Sequence, residues 1–492
     1  MWKRAAALLW TALALLVVCS SQALAGVQSD PAERKGSIPL AAILDPSFGG
    51  DGLVTLPGEA EGLAVYGAAT PNGDVIVSGG SALRGLTSSG DPASSFGGAG
   101  TLSPPPPEGG EFSLSDFTLD SEGRLLVVGT SRFPGDEDDI PSGFPSPIEP
   151  SAVRILRLLP DGLPDPTFGQ SGVIETDFGL PPPRDKHGRA LQPEASMEAT
   201  GIAVDPQGRI AVTGSADVGL SDRSCPLEVP HRLPISAAFL ARLTKDGALD
   251  PSFSGDGLVG GRKLGETPLR AKSVGKPVLG PSGAITYRST ALGACPRDHG
   301  RWGVAQLTPD GRTRKTLGRK GAVGGYFTAL AGEPDGSVVA LARMGWTEGE
   351  AFRARLIRIG PDGEVDRSFG HHGRTVVKLG SPRGNEPDSL AVDAQGRILL
   401  GGTLVTSKRK RAPNGKLARR NRRSILMVRL SADGRQEMNF GPNGRVATSF
   451  PGLVGFGPSD LFLDREGRAV TVHRYGTREG SGLVLARYLL RN

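Results

Sequence analysis

The chain has 492 residues, 38% of them hydrophobic and 22% charged, with a formal net charge of +6. Its 72 glycines and 40 prolines approach the level of a low-complexity chain, yet they recur with a period and the apolar content is enough to bury a core. This excludes a purely solvated linker and fits an all-β chain whose strands are punctuated by turns.

At the N-terminus, Lys3 and Arg4 precede an apolar run from Ala5 to Val18, broken only by Thr11, and Ala23-Leu24-Ala25 supplies a small-x-small cleavage site. The run has 14 residues, short of the roughly 20 that cross a bilayer as a helix. Residues 1–25 therefore read as a signal peptide cut near Gly26, followed by a linker over 26–40. Val18 stands where a lipoprotein signal carries a small residue, so Cys19 is set aside, and no second apolar stretch reaches spanning length. The mature chain is expected to be secreted or extracytoplasmic, without a transmembrane anchor.

Two elements then repeat. The first reads Leu44-Asp45-Pro46-Ser47-Phe48-Gly49 and returns at Asp91 to Gly100, Asp165 to Gly169, Asp250 to Phe253, Asp366 to Gly370 and Glu437 to Gly441, with a worn copy, Thr316 to Gly321, in which Leu317 replaces the aromatic ring. The second is a polar tetrad ending in Gly ahead of a β-branched run, with its glycines at 73, 123, 208, 283, 336, 396 and 467. Asp caps such a turn with its own side chain, and Gly accepts the positive φ that a hairpin demands. Strand-length apolar runs such as Phe239 to Leu243 and Ile425 to Leu430 lie between the two elements. One unit is four strands, and a minimal unit of this size repeated seven times predicts a seven-bladed β-propeller.

The ends predict its closure. The last unit stops after its third strand, at Leu483 to Leu490, while Leu44 to Leu56 is a fourth strand with no first three before it. The N-terminal segment is expected to complete blade 7 and remove the open edge. The single propeller domain then spans 41–492. Its parts are the closing strand at 41–58, blade 1 at 59–105, blade 2 at 106–180, blade 3 at 181–262, blade 4 at 263–325, blade 5 at 326–380, blade 6 at 381–452, and the first three strands of blade 7 at 453–492. Phe48, Phe96, Phe168, Phe253, Phe369 and Phe440 read as packing anchors.

The pairing of Asp-x-x-Gly-Arg-(Ile/Leu) with Arg-Leu-x-x-Asp-Gly-x-x-Asp-x-Ser-Phe-Gly resembles the delta-60 repeat family of exported bacterial proteins, over nearly the whole mature chain. Segments such as Gly201 to Asp205 are also similar to NHL-type propeller repeats. The resemblance implies a propeller in an extracytoplasmic setting and carries no defined activity, cofactor or catalytic residue. Blade 4 departs most, through Gly280 and Leu317.

Long insertions fall at Phe133 to Ser151, Leu180 to Met197, Ala216 to Ser236, Ser289 to Arg301 and Leu404 to Arg423. All are second-to-third or inter-blade connections, which share one face of the disc, so one face is plain and the other elaborated, either as binding loops on a rigid scaffold or through neutral drift. Cys225 and Cys295 lie in such insertions of adjacent blades and form a candidate disulfide, which an exported setting permits. Lys408, Arg409, Lys410, Arg411, Lys416, Arg419, Arg420, Arg422 and Arg423 make a loop with nine positive charges and no negative one. Loss of Lys3 and Arg4 leaves a net +4, so the rest of the mature chain stands at −5. The loop is read either as an anion-holding element, for a phosphate- or carboxylate-rich envelope polymer, or as a disordered solvated insertion. Export argues against nucleic acid, and a monomer is expected.

Catalytic patterns are lacking: the chain has no His-Glu-x-x-His, phosphate loop, Gly-x-Ser-x-Gly elbow or zinc-spaced Cys pair, and the expectation is no catalytic residue, no metal site and no cofactor. His371-His372 sits in a plain-face turn, the acidic run Asp136 to Asp139 matches no calcium loop, and His231, Asp222, His299 and Asp298 fall in loops of the elaborated face. The leading functional reading is a noncatalytic binding or scaffold protein. The alternatives are an extracellular hydrolase or lyase and a structural envelope protein.

Overall fold

The computed structural model describes residues 42–58, 65–134, 150–180, 196–220, 234–260, 271–291, 303–314, 317, 322–344, 353–377, 379, 386–411, 417–450, 455–477 and 480–490. Its strands form seven antiparallel sheets, and in blades 1 to 6 the order follows the chain from the innermost to the outermost strand. In blade 2 these are Glu111–Leu119, Leu125–Arg132, Ser151–Leu158 and Val173–Thr176. The innermost strand of each blade packs against that of the next, and the last, Gly455–Leu463, returns to the first, Tyr66–Ala69. The molecule is a seven-bladed propeller, as the repeats predicted.

Closure takes the predicted form. Both Ala42–Leu44 and Leu53–Pro57 pair with the third strand of blade 7, Ser481–Leu490, through Leu44↔Tyr488 and Leu53↔Ala486. The hairpin glycines at 73, 123, 208, 283, 336, 396 and 467 all have φ between 73° and 91°, a region closed to most side chains. The turn Asp locks the same hairpin: Asp120 Oδ1 accepts the amides of Glu122 and Arg124, and Asp205, Asp393 and Asp464 repeat the arrangement.

The Arg-Leu and Asp-x-Ser-Phe letters of the repeat meet in one motif. In blade 3 the buried Arg242 donates from Nε to Asp250 and from Nη2 to Ser252, and its guanidinium lies 4.7 Å from the Phe253 ring centroid. Arg157 with Asp165 and Phe168, Arg358 with Asp366 and Phe369, and Arg429 with Glu437 and Phe440 match it. The same guanidiniums reach forward: Arg157 Nη1 donates to the Lys245 carbonyl of blade 3, and Arg358 Nη1 to the Ala432 carbonyl of blade 6. The triads of blades 2, 3 and 5 thus weld their own blade and dock it on the next. Blade 7 builds its triad from both chain ends, Arg487 binding Asp45 at 2.8 Å and Ser47 at 2.9 Å, 4.6 Å from the Phe48 ring centroid. In blades 1 and 4 the Arg position holds Gly85 and Gln306, and blade 4 carries Leu317 in place of Phe, so ring and cation are lost together there.

Candidate functional site

The axis of the ring carries a charged cluster that motif reading missed. Four residues before the first-to-second turn, blades 3, 5 and 6 have the small residues Gly201, Ala329 and Ser389, whereas blades 1, 2, 4 and 7 have Tyr66, Asp116, Lys276 and Asp460. Blades 2 to 7 each have a bulge near this position, as between Leu114 and Asp116 or Phe456 and Ser459. Such an extra residue bends a strand and re-aims the side chains beside it. A charged residue at a repeat position that is small in other blades was the available sequence signal.

Lys276 lies where the innermost strand of blade 4 is interrupted, between Ala271–Val274 and Val278–Leu279. Its Nζ reaches past blade 3 to Asp116 Oδ1 of blade 2 at 2.8 Å and the Phe117 carbonyl at 3.2 Å. Blade 3 makes room by having Gly201 there: a Cβ at that position would stand 2.5 Å from the Lys276 Cα. Asp116 also accepts the amides of Phe117 at 2.8 Å and Ile202 at 3.0 Å, and Asp460 accepts those of Gly67 and Leu461, both at 2.9 Å. Two of these bonds, to Ile202 and Gly67, join a blade to its successor.

Burial raises the pKa of Asp116 and of Asp460 above the ordinary carboxylate value. Burial also works against the Lys276 ammonium, but Asp116 and Asp460 outweigh it and raise that pKa, so Lys276 stays charged. The Lys276 ammonium lies 5.5 Å from the Tyr66 ring centroid, and burial followed by the Asp116 charge lifts the Tyr66 hydroxyl well above its usual range. Lys276 nevertheless keeps 42% of its side chain exposed. The middle of the ring is therefore polar, open to solvent at Lys276 and close to charge balance. Beside this cluster, Asp388 of blade 6 accepts the Ser459 hydroxyl and, at 3.2 Å, the Ser459 amide of blade 7, and burial above all lifts its pKa to about 7.

The segment 408–423 is corrected. It is not a disordered insertion: Ile398–Arg411 and Leu417–Leu430 of blade 6 pair without a bulge from Ile398↔Leu430 out to Arg411↔Leu417, and only 412–416 lie outside the described residues. A backbone ladder propagates without an apolar pattern, which is why the charge run concealed it. Lys408↔Arg420 and Arg409↔Arg419 are register partners, which brings these four of the nine sequence-picked basic residues level with one another on neighbouring strands. Cys225, Cys295, Asp222, His231, Asp298, His299 and Asp136 to Asp139 lie outside the described residues. His371 and His372 are exposed, with ring centroids 4.4 Å apart. Among the described residues, no group of three or more His, Cys, Asp or Glu is placed to hold a metal.

A family model described as "Domain of unknown function (DUF5122) beta-propeller" matches residues 149–168 and 234–253. Each segment runs from a third strand through its turn to the triad phenylalanine, in blades 2 and 3. The match covers two repeats of a propeller. No curated protein sequence matches the chain. Among solved structures, a protein of unknown function from Dyadobacter fermentans is 12% identical, with a TM-score of 0.40 over 78% of this chain and 96% of its own. A leech intramolecular trans-sialidase is 12% identical, with a TM-score of 0.36 over 76% and 67%. A gluconolactonase from Xanthomonas campestris is 14% identical, with a TM-score of 0.32 over 77% and 89%.

Proposed function

We propose that this propeller is an exported, noncatalytic binding scaffold of the delta-60 type, and that its elaborated face holds an anionic polymer of the cell surface through the basic hairpin of blade 6. The observation that carries the reading is the hairpin itself. Its strands continue the blade's own second and third strands, so the cationic sequence sits on a preformed ribbon rooted in the core. From Val405 to Arg411 the ribbon projects about 20 Å at ~3.3 Å per residue. Placing like charges on directly opposed residues costs free energy in a sheet, and a polyanion lying along the ribbon relieves it while releasing counterions. Export rests on residues 3–25, which lie outside the described residues. No helix among the described residues is long and apolar enough to cross a membrane.

The test uses immobilised polygalacturonate and polyphosphate with the mature chain and a variant carrying Arg409→Gln, Arg411→Gln, Arg419→Gln and Arg420→Gln. Retention that falls with added salt, and falls at least tenfold in the variant, supports the reading. Equal retention of both proteins, or binding indifferent to salt, overturns it. N-terminal sequencing of secreted material checks cleavage near Gly26.

A further inference from the structure

The basic hairpin of blade 6 has two faces, and its charge is divided between them. Its first strand, Ile398–Arg411, begins two residues after its turn glycine, as do the corresponding strands of the flanking blades, Val338–Met344 and Ala469–Gly476. It runs for 14 residues, whereas those two run for 7 and 8. From Thr406 outward, therefore, no described strand of either neighbour stands beside it. Inside the disc both faces of the sheet are covered by the next blades; in the ribbon that continues it, neither face has a described strand against it. Consecutive strand residues belong to opposite faces, and directly paired residues share one. Pairing without a bulge carries that alternation to Arg411 and Leu417. Lys408, Lys410, Arg420 and Arg422 thus fall on one face, and Arg409, Arg411, Arg419 and Arg423 on the other. The ninth basic residue, Lys416, lies outside the described residues.

Resting on the reading that this hairpin holds an anionic polymer, we propose that it holds two chains of it, one against each face, so that a single protein molecule bridges them. The even division of charge carries the inference. One chain lying along one face meets four of the eight charges and leaves the other four with their mutual repulsion. A second chain relieves that repulsion and releases its own counterions. Each face is also extended enough to hold a chain in register: residues of one strand recur on it every ~6.7 Å along a ribbon about 20 Å long. The two chains do not defeat one another. If each lies on its face at the spacing of stacked sheets, about 10 Å, they are about 20 Å apart, more than twice the screening length of about 8 Å at physiological salt. Their repulsion is damped while each stays in contact with its own cations. Because the ladder runs unbroken back to Ile398↔Leu430 in blade 6, the bridge is a fixed spacer rooted in the disc.

The experiment titrates the full mature chain by calorimetry with galacturonate oligomers no longer than the ribbon, about 20 Å, and then mixes it with long polygalacturonate while light scattering follows aggregation. Two variants each lose three charges from one face. The first carries Lys408→Gln, Lys410→Gln and Arg420→Gln, and the second Arg409→Gln, Arg411→Gln and Arg419→Gln. The expected result is two oligomers per wild-type molecule and one per molecule of either variant. Scattering with the long polymer should fall at least tenfold in both variants although both still bind it. Circular dichroism shows whether each variant has folded, and the wild-type stoichiometry carries the test if one has not. One oligomer per wild-type molecule, two per folded variant, or undiminished scattering from a folded variant overturns the bridge and leaves the one-chain reading standing. Wild-type binding that is absent or indifferent to salt overturns both.

Discussion

Replacing Arg487 by Met should unfasten the ring. Arg487 and Asp45 are almost fully buried, with side-chain exposures of 1% and 4%, and Nε lies 2.8 Å from the carboxylate. The guanidinium also donates to the Ser88 carbonyl of blade 1 and the Ser47 hydroxyl, and stacks on Phe48. Removing one partner of a buried pair costs about 3–5 kcal/mol, and the lower end applies because Asp45 keeps Arg468 at 3.4 Å. The lost cation–π contact adds roughly 1 kcal/mol, and burial of the Met side chain returns about 2 kcal/mol, leaving a net loss of ~2 kcal/mol. At about 1.4 kcal/mol per factor of ten, the closing strand should open roughly thirtyfold more often. Hydrogen exchange reads this at Val54 and Leu56, whose register partners are Leu485 and Leu483 and which fall between the bonded pairs Gly52–Arg487 and Gly58–Ser481. Arg242→Met is the control. Its Asp250 partner is eight residues away, so it should loosen blade 3 and leave those two amides protected. Less than a threefold change at Val54 and Leu56 in Arg487→Met, or an equal change in the control, would refute the closure argument.

Acid should weaken the whole disc. Burial opposes the charges of Asp45, Asp165, Asp250 and Asp366, but the Ser or Thr two residues on and the triad Arg outweigh it and hold all four below the ordinary value of 3.8. Folded-state pKa values below the unfolded one supply stability above about pH 4 that disappears as pH falls further; a denaturation midpoint that stays flat from pH 6 to pH 3 would contradict this. Asp388 works in the opposite sense. With its pKa lifted to about 7, its ionisation opposes folding progressively from pH 4 to pH 7, so Asp388→Asn should stabilise the protein at pH 8, with the gain shrinking below pH 7 and vanishing near pH 4. Denaturation midpoints at pH 8 and pH 5 that shift equally would count against it. For Cys225 and Cys295, thiol titration of unfolded, unreduced mature protein should find no free thiol, and two reactive thiols would rule out the bridge.

The architecture was legible because each repeat letter performs a local task that the chain can specify within one unit. Gly123 sits at a turn only Gly accepts readily, Asp120 caps that turn, and Arg157, Asp165 and Phe168 lie close enough in sequence to find one another. Even the closure showed as an arithmetic mismatch, a fourth strand at Leu53–Pro57 without its blade and a third strand at Ser481–Leu490 without its neighbour. The basic segment was legible as charge but not as structure, since the ladder that carries it is made by backbone groups that residue type does not reveal.

The axial cluster belongs to the tertiary structure alone. Asp116 and Lys276 are 160 residues apart, and nothing near either in sequence marks it as a partner. They meet because the curvature of the ring converges seven innermost strands on one axis, where bulges set the side chains and Gly201 leaves room for a strand to pass. The sequence by itself determined the repeats, the number of blades and how the ends join, because those follow from local turn chemistry and pairing. Which charges neutralise one another at the axis was decided only when distant blades were brought together.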